Sequence, residues 1–413
     1  MICHHIDQQL HMENVALNAI AIAHGTPTYV YSKEKISDNY LSYKNAFGSR
    51  AHDICYAVKA NSNLAVLHLL DSLGAGFDVV SVGELERVRA AGGAMNRTVF
   101  AGVGKMRNEI ERAIELDISC LNIESVPELE LINQVAETMG KTARIAVRVN
   151  PDVDAKTHPY ISTGLNENKF GIPMADALGV YQKAQAMARI EIVGVACHIG
   201  SQLTEISPFV DAAARVQLLL NTLVDAGIKI EHVDIGGGLG ISYGTETPPP
   251  VNEYIQALCK TLDPSYRIVV EPGRSIVGDA GVLLTRVLYI KDTPSRTFAI
   301  ADASMTELIR PALYQAVHPI VPVNVRDDLI ERKVDIVGPV CETADFLGKD
   351  RSMRVAAGDL LAILDAGAYG AVMASSYNTR PKPAEVLVDG DEFHLIKERD
   401  SIASLMANEH IPK

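Results

Sequence analysis

The stretch YAVKAN, Tyr56–Asn61, closes an apolar run and opens a polar one, with a lysine at the boundary. Ile54-Cys55-Tyr56-Ala57-Val58 reads as a strand buried on both faces, as strands of a parallel sheet are. Asn61-Ser62-Asn63 supplies helix-capping side chains, and Leu64-Ala65-Val66-Leu67 starts an apolar helical pattern. Lys59 is therefore expected at the carboxyl end of a strand, in a strand-to-helix turn. Taken by itself, such a lysine reads as a side chain snorkelling from a sheet edge. The sharper reading is a partly desolvated amine with a lowered pKa, ready to form a Schiff base.

Working outward, the same alternation recurs. ICYAVK, GFDVVS, RTVFAG, CLNIE, ARIAVRVN, EIVGVACHIG, EHVDIGGG and RIVVEPG are strand-like, with amphipathic segments such as VPELELINQVAETMG between them. Alternating β and α implies a parallel sheet, and eight such strands match a closed (β/α)8 TIM-like barrel. A doubly wound open sheet is the runner-up, but it has no need of eight strands. The period changes near residue 277, where VLLTRVLYIKD, RTFAIADA, KVDIVGPV, DLLAILDAG and AEVLVDGDEFHLI follow with little helix. The expected organisation is α/β, with a barrel over 31–276 and a mostly β domain made of 1–30 and 277–413. TPTYVYS belongs with the latter, and LIRPALYQAVHPI is its main helix-like interruption.

Bulk properties narrow the function. The 413 residues carry a formal net charge of −13, which argues against nucleic acid or an anionic membrane as partner. No apolar stretch is long enough to span a bilayer, and MICHHIDQQL lacks the regions of a signal peptide, so the expected location is cytoplasmic. The six cysteines form no C-x-x-C pair, and Cys55, Cys120 and Cys197 read as small core hydrophobes. Cys3-His4-His5 reads as a terminus rather than a metal site.

In a barrel, chemistry gathers where the strands end. Lys59 ends strand one, Asp78 lies in strand two, and Arg148 and Asn150 close strand five. His198 and Ser201 follow strand six, Gly236-Gly237-Gly238 strand seven, and Glu271, Gly273 and Arg274 strand eight. Barrel phosphate sites commonly follow strands seven and eight, although a glycine triplet by itself reads as a flexible turn. An imine-forming lysine with a phosphate cradle suggests pyridoxal 5'-phosphate. Glu271 would then meet the ring nitrogen and His198 cover a ring face.

These residues carry a resemblance. YAVKAN, HIGSQ, DIGGGLG, EPGRSIVG, VGPVCETADFLGKDR and YNTRPKPAEVLVDG occur in the order in which they occur in the diaminopimelate decarboxylases. The chain is thereby similar to a family in the alanine-racemase-like group of pyridoxal-phosphate enzymes, built as a barrel plus a β domain. The resemblance implies decarboxylation of meso-2,6-diaminopimelate to L-lysine and CO2. It makes Lys59 the cofactor-bearing lysine and His198 the ring-stacking histidine. The phosphate cradle falls to Gly238, its neighbours and the EPGR backbone, the ring-nitrogen contact to Glu271, and a place near phosphate and substrate to Tyr369. Arg274, Arg310 and Tyr314 match residues that hold the distal carboxylate, Glu342 matches the residue that reads the distal amino group, and Cys341 matches the proton donor. In that family Cys341 and Glu342 reach into the partner's site, so a homodimer is implied. Spacing alone would leave Arg310 as a solvated helix residue; the motif reverses that. Glu342 and Asp345 are expected to keep the Cys341 thiol protonated. Thr343 and Asn168 are small departures from the family pattern. An ornithine or arginine decarboxylase, a racemase, and a cofactor-binding relative without activity are the rival readings.

Overall fold

A computed structural model describes residues 2–154, 169–244 and 246–412; Asn168 lies outside the described residues. The chain divides into two compact units, Met1–Asp38 with Ser242–Glu246 and Ile276–Lys413, and Asn39–Ile241 with Thr247–Ser275.

In the second unit eight parallel strands close into a barrel. They are β1 (His52–Ala57), β2 (Gly76–Val79), β3 (Thr98–Phe100), β4 (Cys120–Ile123), β5 (Ala143–Asn150), β6 (Ile190–Cys197), β7 (His232–Asp234) and β8 (Arg267–Val270). Closure comes from β8 on β1, where Ile268, Val269 and Val270 register with His52, Asp53 and Ile54. Small and branched side chains fill the interior, among them Cys55, Val99, Cys120, Ala146, Val193, Ala196 and Val269. Cys55 and Cys120 are thus core residues, and Cys197 is buried as well. The strand interiors are buried on both faces, which is why their sequences are apolar without alternation.

Local chemistry sets the turns. The Asn63 side chain accepts the Ala65 N–H at 2.9 Å and so caps helix Leu64–Leu73. Ser81 and Ser125 cap the helices after β2 and β4 in the same manner.

The first unit is mostly β. Its spine, Gly281–Asp292, pairs antiparallel with Thr28–Ser32, Thr297–Ala301 and Leu360–Ile363. Thr28–Ser32 also pairs in parallel with Ala384–Asp389, so the TPTYVYS segment does sit in this sheet. Val30, Val282, Leu284, Ala362, Val386 and Val388 join its core. The helix expected over LIRPALYQAVHPI is shorter than its pattern suggests, running only from Arg310 to Tyr314. Gln315 takes a left-handed φ of 54°, its N–H turns back to Arg310 O, and the chain then enters strand Ile320–Pro322. Strand Phe346–Met353 carries charges on its exposed face, which hid it among the motif residues. No helix among the described residues is long and apolar enough to cross a membrane.

Candidate active site

The turns at the carboxyl ends of the barrel strands are laced together by backbone hydrogen bonds. Ala57 N–H donates to Pro272 O at 3.1 Å, Glu271 N–H to Gly236 O at 2.8 Å, and Leu203 N–H to Gly238 O at 2.9 Å. This lacing gathers the turns that carry Lys59, Ser201, the glycine triplet and Glu271 at one end of the barrel. Arg274 Nη2 donates to Ser201 Oγ at 3.1 Å across the same turns.

Lys59 lies one step beyond its expected place. β1 stops at Ala57, and Lys59 occupies the single 3-10 turn Val58–Ala60. Its Nζ is ion-paired with Asp78 Oδ2, on a carboxylate that is wholly buried in β2. The sheet-edge reading therefore fails, because the amine is drawn toward the barrel rather than into solvent. The lysine side chain remains 37% exposed, so desolvation is only part of its environment and a carboxylate is the other part.

Glu271 is buried, and burial first, then the Asp234 and Asp78 charges, push its carboxyl well above the usual range. It is hydrogen-bonded to Asp234, whose carboxyl burial raises to about 6. Asp234 also accepts from Gly236 N–H at 2.8 Å and from Asn122 Nδ2 at 3.3 Å. With those two donors on Asp234, Glu271 is the member that carries the shared proton. His198 is half-buried, and desolvation first, then the Arg148 and Lys59 charges, hold its imidazole well below the ordinary value and thus neutral. Arg148 is neutralised by Glu124 at 2.7 Å, and Glu124 also accepts the N–H groups of Gly102 and Gly171.

The glycine triplet has a structural cause that its sequence did not disclose. A Cβ on Gly237 would stand 2.2 Å from Glu271 O, and one on Gly238 2.4 Å from Gly200 O. Gly236 and Gly238 also have φ of 69° and 119°. Close packing of the turns against one another, not flexibility, demands these residues.

The remaining predicted residues belong to the β unit. Arg310 is buried, which corrects the solvated-helix alternative. Its Nη1 stands 2.7 Å from His318 Nε2, and its guanidinium lies over the Tyr243 ring at 4.3 Å. Arg310 also opposes the rise to about 6 that burial imposes on Asp365. Tyr314 is half-buried on the same short helix. Cys341 and Glu342 share one exposed turn: Cys341 N–H donates to Asn378 Oδ1 at 3.4 Å, and Glu342 accepts the Tyr377 hydroxyl at 2.7 Å. Asp345, expected beside the thiol, is buried and accepts the N–H groups of Met305 and Val340. Tyr369 is half-buried and holds a left-handed φ of 54°, the kind of backbone strain that collects at functional sites.

Residues 33–278 match the family model described as pyridoxal-dependent decarboxylase, pyridoxal binding domain. The chain is 53% identical to the diaminopimelate decarboxylase of Pseudomonas aeruginosa, over 98% of both chains. It belongs to the diaminopimelate decarboxylase family. Among solved members it is similar to the Helicobacter pylori enzyme complexed with L-lysine, at 43% identity and TM-score 0.92, with 95% and 98% of the two chains covered. The M. jannaschii enzyme, also solved with L-lysine, gives 40% identity and TM-score 0.95, with 99% and 98% covered.

The decarboxylase family's cofactor, pyridoxal phosphate, suits the residues present. Glu271 Oε1 is buried and has no hydrogen-bond partner among the described residues, and a pyridine nitrogen would supply one. A lysine amine and a neutral imidazole complete the donor set. Asp234, Glu124, His318 and Tyr377 were missed in the sequence. Asp234 opens DIGGG and was within reach of a reading that asked what holds Glu271. The other three announce themselves only through their partners.

Proposed function

We propose that the chain decarboxylates meso-2,6-diaminopimelate to L-lysine and CO2. The observation that carries this reading is the set of one imine-capable lysine, one neutral imidazole and one buried carboxyl with an open valence, in a chain half-identical to diaminopimelate decarboxylases. Pyridoxal phosphate supplies an electron sink for the pair left behind when CO2 departs. Lys59 is the amine that would hold it. Glu271 shares its proton with Asp234 and leaves Oε1 as an open acceptor for a protonated ring nitrogen, and His198 offers an uncharged face that does not compete for it. The backbone of Gly236, Gly237, Gly238 and Gly273, with Ser201, would receive the phosphate.

In this reading Arg274, Arg310 and Tyr314 hold the distal carboxylate, because a substrate charged at both ends needs fixed counter-charges and an arginine fork matches a carboxylate. Glu342 reads the distal amino group, Tyr369 lies by the phosphate and substrate, and Cys341 delivers the proton that replaces CO2. The residues Cys341 and Glu342 serve the partner's site in a homodimer, and the enzyme works in the cytoplasm. Support comes from the order of the motifs and from the exposure of the Cys341–Glu342 turn.

The test is release of CO2 and lysine from meso-diaminopimelate, with and without pyridoxal phosphate, beside L-ornithine and L-arginine. Cofactor-dependent lysine from diaminopimelate alone is expected. Activity confined to ornithine or arginine would overturn the roles of Arg310 and Glu342, and no CO2 from any substrate would overturn the whole reading.

A further inference from the structure

Arg310 stands on a helix of only five residues, and an arginine side chain there has several rotatable bonds. A guanidinium recognises a carboxylate with selectivity only when the plane of its fork is fixed. Among the described residues, two neutral groups lie directly against it. One is His318, whose Nε2 lies 2.7 Å from Arg310 Nη1. The other is the Tyr243 ring, 4.3 Å from the guanidinium carbon.

The state of His318 follows from what its Nδ1 meets. Its Nδ1 lies 2.9 Å from Leu364 O, which can only accept, so Nδ1 carries the proton. Nε2 then presents its lone pair to a guanidinium, which can only donate. The imidazole is therefore neutral, in one tautomer, and fully buried. Two further contacts hold it still: the Tyr243 ring meets it edge to face at 5.1 Å, and Arg351 Nη2 donates to its backbone oxygen at 3.1 Å. A carboxylate in its place would also orient the guanidinium, but would compete with any incoming carboxylate for the positive charge. A neutral acceptor aims the fork and adds no negative charge.

We propose that His318 is a positioning residue for substrate selection, a tautomer-locked acceptor that aims Arg310 at the distal carboxylate. The proposal rests on the assignment of Arg310 to that carboxylate. Its reach is specific: His318 bears on ligands that keep the distal carboxylate and not on ligands that lack it.

The experiment uses the full-length enzyme loaded with pyridoxal phosphate. His318→Leu, His318→Gln, Tyr243→Leu and Arg310→Ala are compared by kcat and KM for meso-diaminopimelate. They are compared also by inhibition with L-lysine, which keeps the distal carboxylate, and with 1,5-diaminopentane, which lacks it. A hydrogen bond to a charged group corresponds to roughly a ten-fold effect or more. His318→Leu is expected to raise KM and the L-lysine inhibition constant by about that factor. Inhibition by diaminopentane and cofactor absorbance should be unchanged. His318→Gln, which can place Oε1 near the site of Nε2, should recover most of the loss. Equal weakening of both inhibitors, or a fall in kcat with KM unchanged, overturns the proposal. Should His318→Leu not fold, Tyr243→Leu carries the same comparison from the aromatic side, with the same two outcomes. Arg310→Ala separates the two levels. If it leaves L-lysine inhibition intact, the carboxylate assignment fails; if it abolishes that inhibition while His318→Leu does not weaken it, only the proposal for His318 fails.

Discussion

Asp234 and Glu271 are hydrogen-bonded carboxyl to carboxyl within the barrel, and both are buried. Two buried carboxylates side by side cannot both be ionised, so the fold itself keeps a proton at Glu271. Gly236 and Asn122 direct that choice by donating to Asp234.

A pH dependence follows. The Asp234 carboxyl stands at about 6 in the fold against an ordinary 3.8, so between those values the folded chain holds a proton that the unfolded chain has released. A group raised in this way contributes its stability fully below the lower value and loses it as pH rises through the upper one. Asp234→Asn removes that loss. Thermal unfolding of wild type and variant without cofactor should show the wild type losing ground from about pH 4 to about pH 7. Parallel curves would place the raised carboxyl elsewhere.

Lys59→Ala should abolish covalent attachment of the cofactor. Borohydride treatment followed by mass measurement should show the reduced cofactor adduct on wild type and none on the variant. Release of CO2 from diaminopimelate should fall by roughly 10^3-fold or more, the scale of removing a positioned catalytic group. Retention of native turnover would refute the role of Lys59.

The glycine triplet can be tested without any assay of chemistry. Gly237→Ala drives a Cβ to within 2.2 Å of Glu271 O, whereas Gly104 has nothing within 4 Å of the same position. Overpacking of this kind costs about 1–3 kcal/mol. Gly237→Ala should lower the melting temperature clearly and Gly104→Ala should leave it near native. Equal melting temperatures would mean that the turns can part to admit the methyl group.

The proposed sharing of sites across a dimer predicts complementation. Lys59→Ala and Cys341→Ala are each expected to be nearly inactive. After mixing and subunit exchange, half the dimers pair one variant with the other and regain one intact site. About one quarter of native activity should return. No recovery, with subunit exchange verified by size, would place Cys341 in the same chain's site as Lys59.

The barrel was legible because its strands are buried on both faces, which makes eight apolar runs stand out at regular intervals. The β unit was legible in its alternating strands but not in Phe346–Met353, whose exposed face carries charge. Motif spelling marked Lys59, His198, Glu271 and Arg310, since these residue types at strand ends and in ordered motifs are local features of the chain. It could not show what each of them meets. Lys59 meets Asp78, Glu271 meets Asp234, and Arg310 meets His318 and a tyrosine 67 positions before it in the chain. Those pairings fix which group holds a proton and which keeps its charge. They depend on burial and on distances between residues far apart along the chain, and so only the tertiary structure decided them.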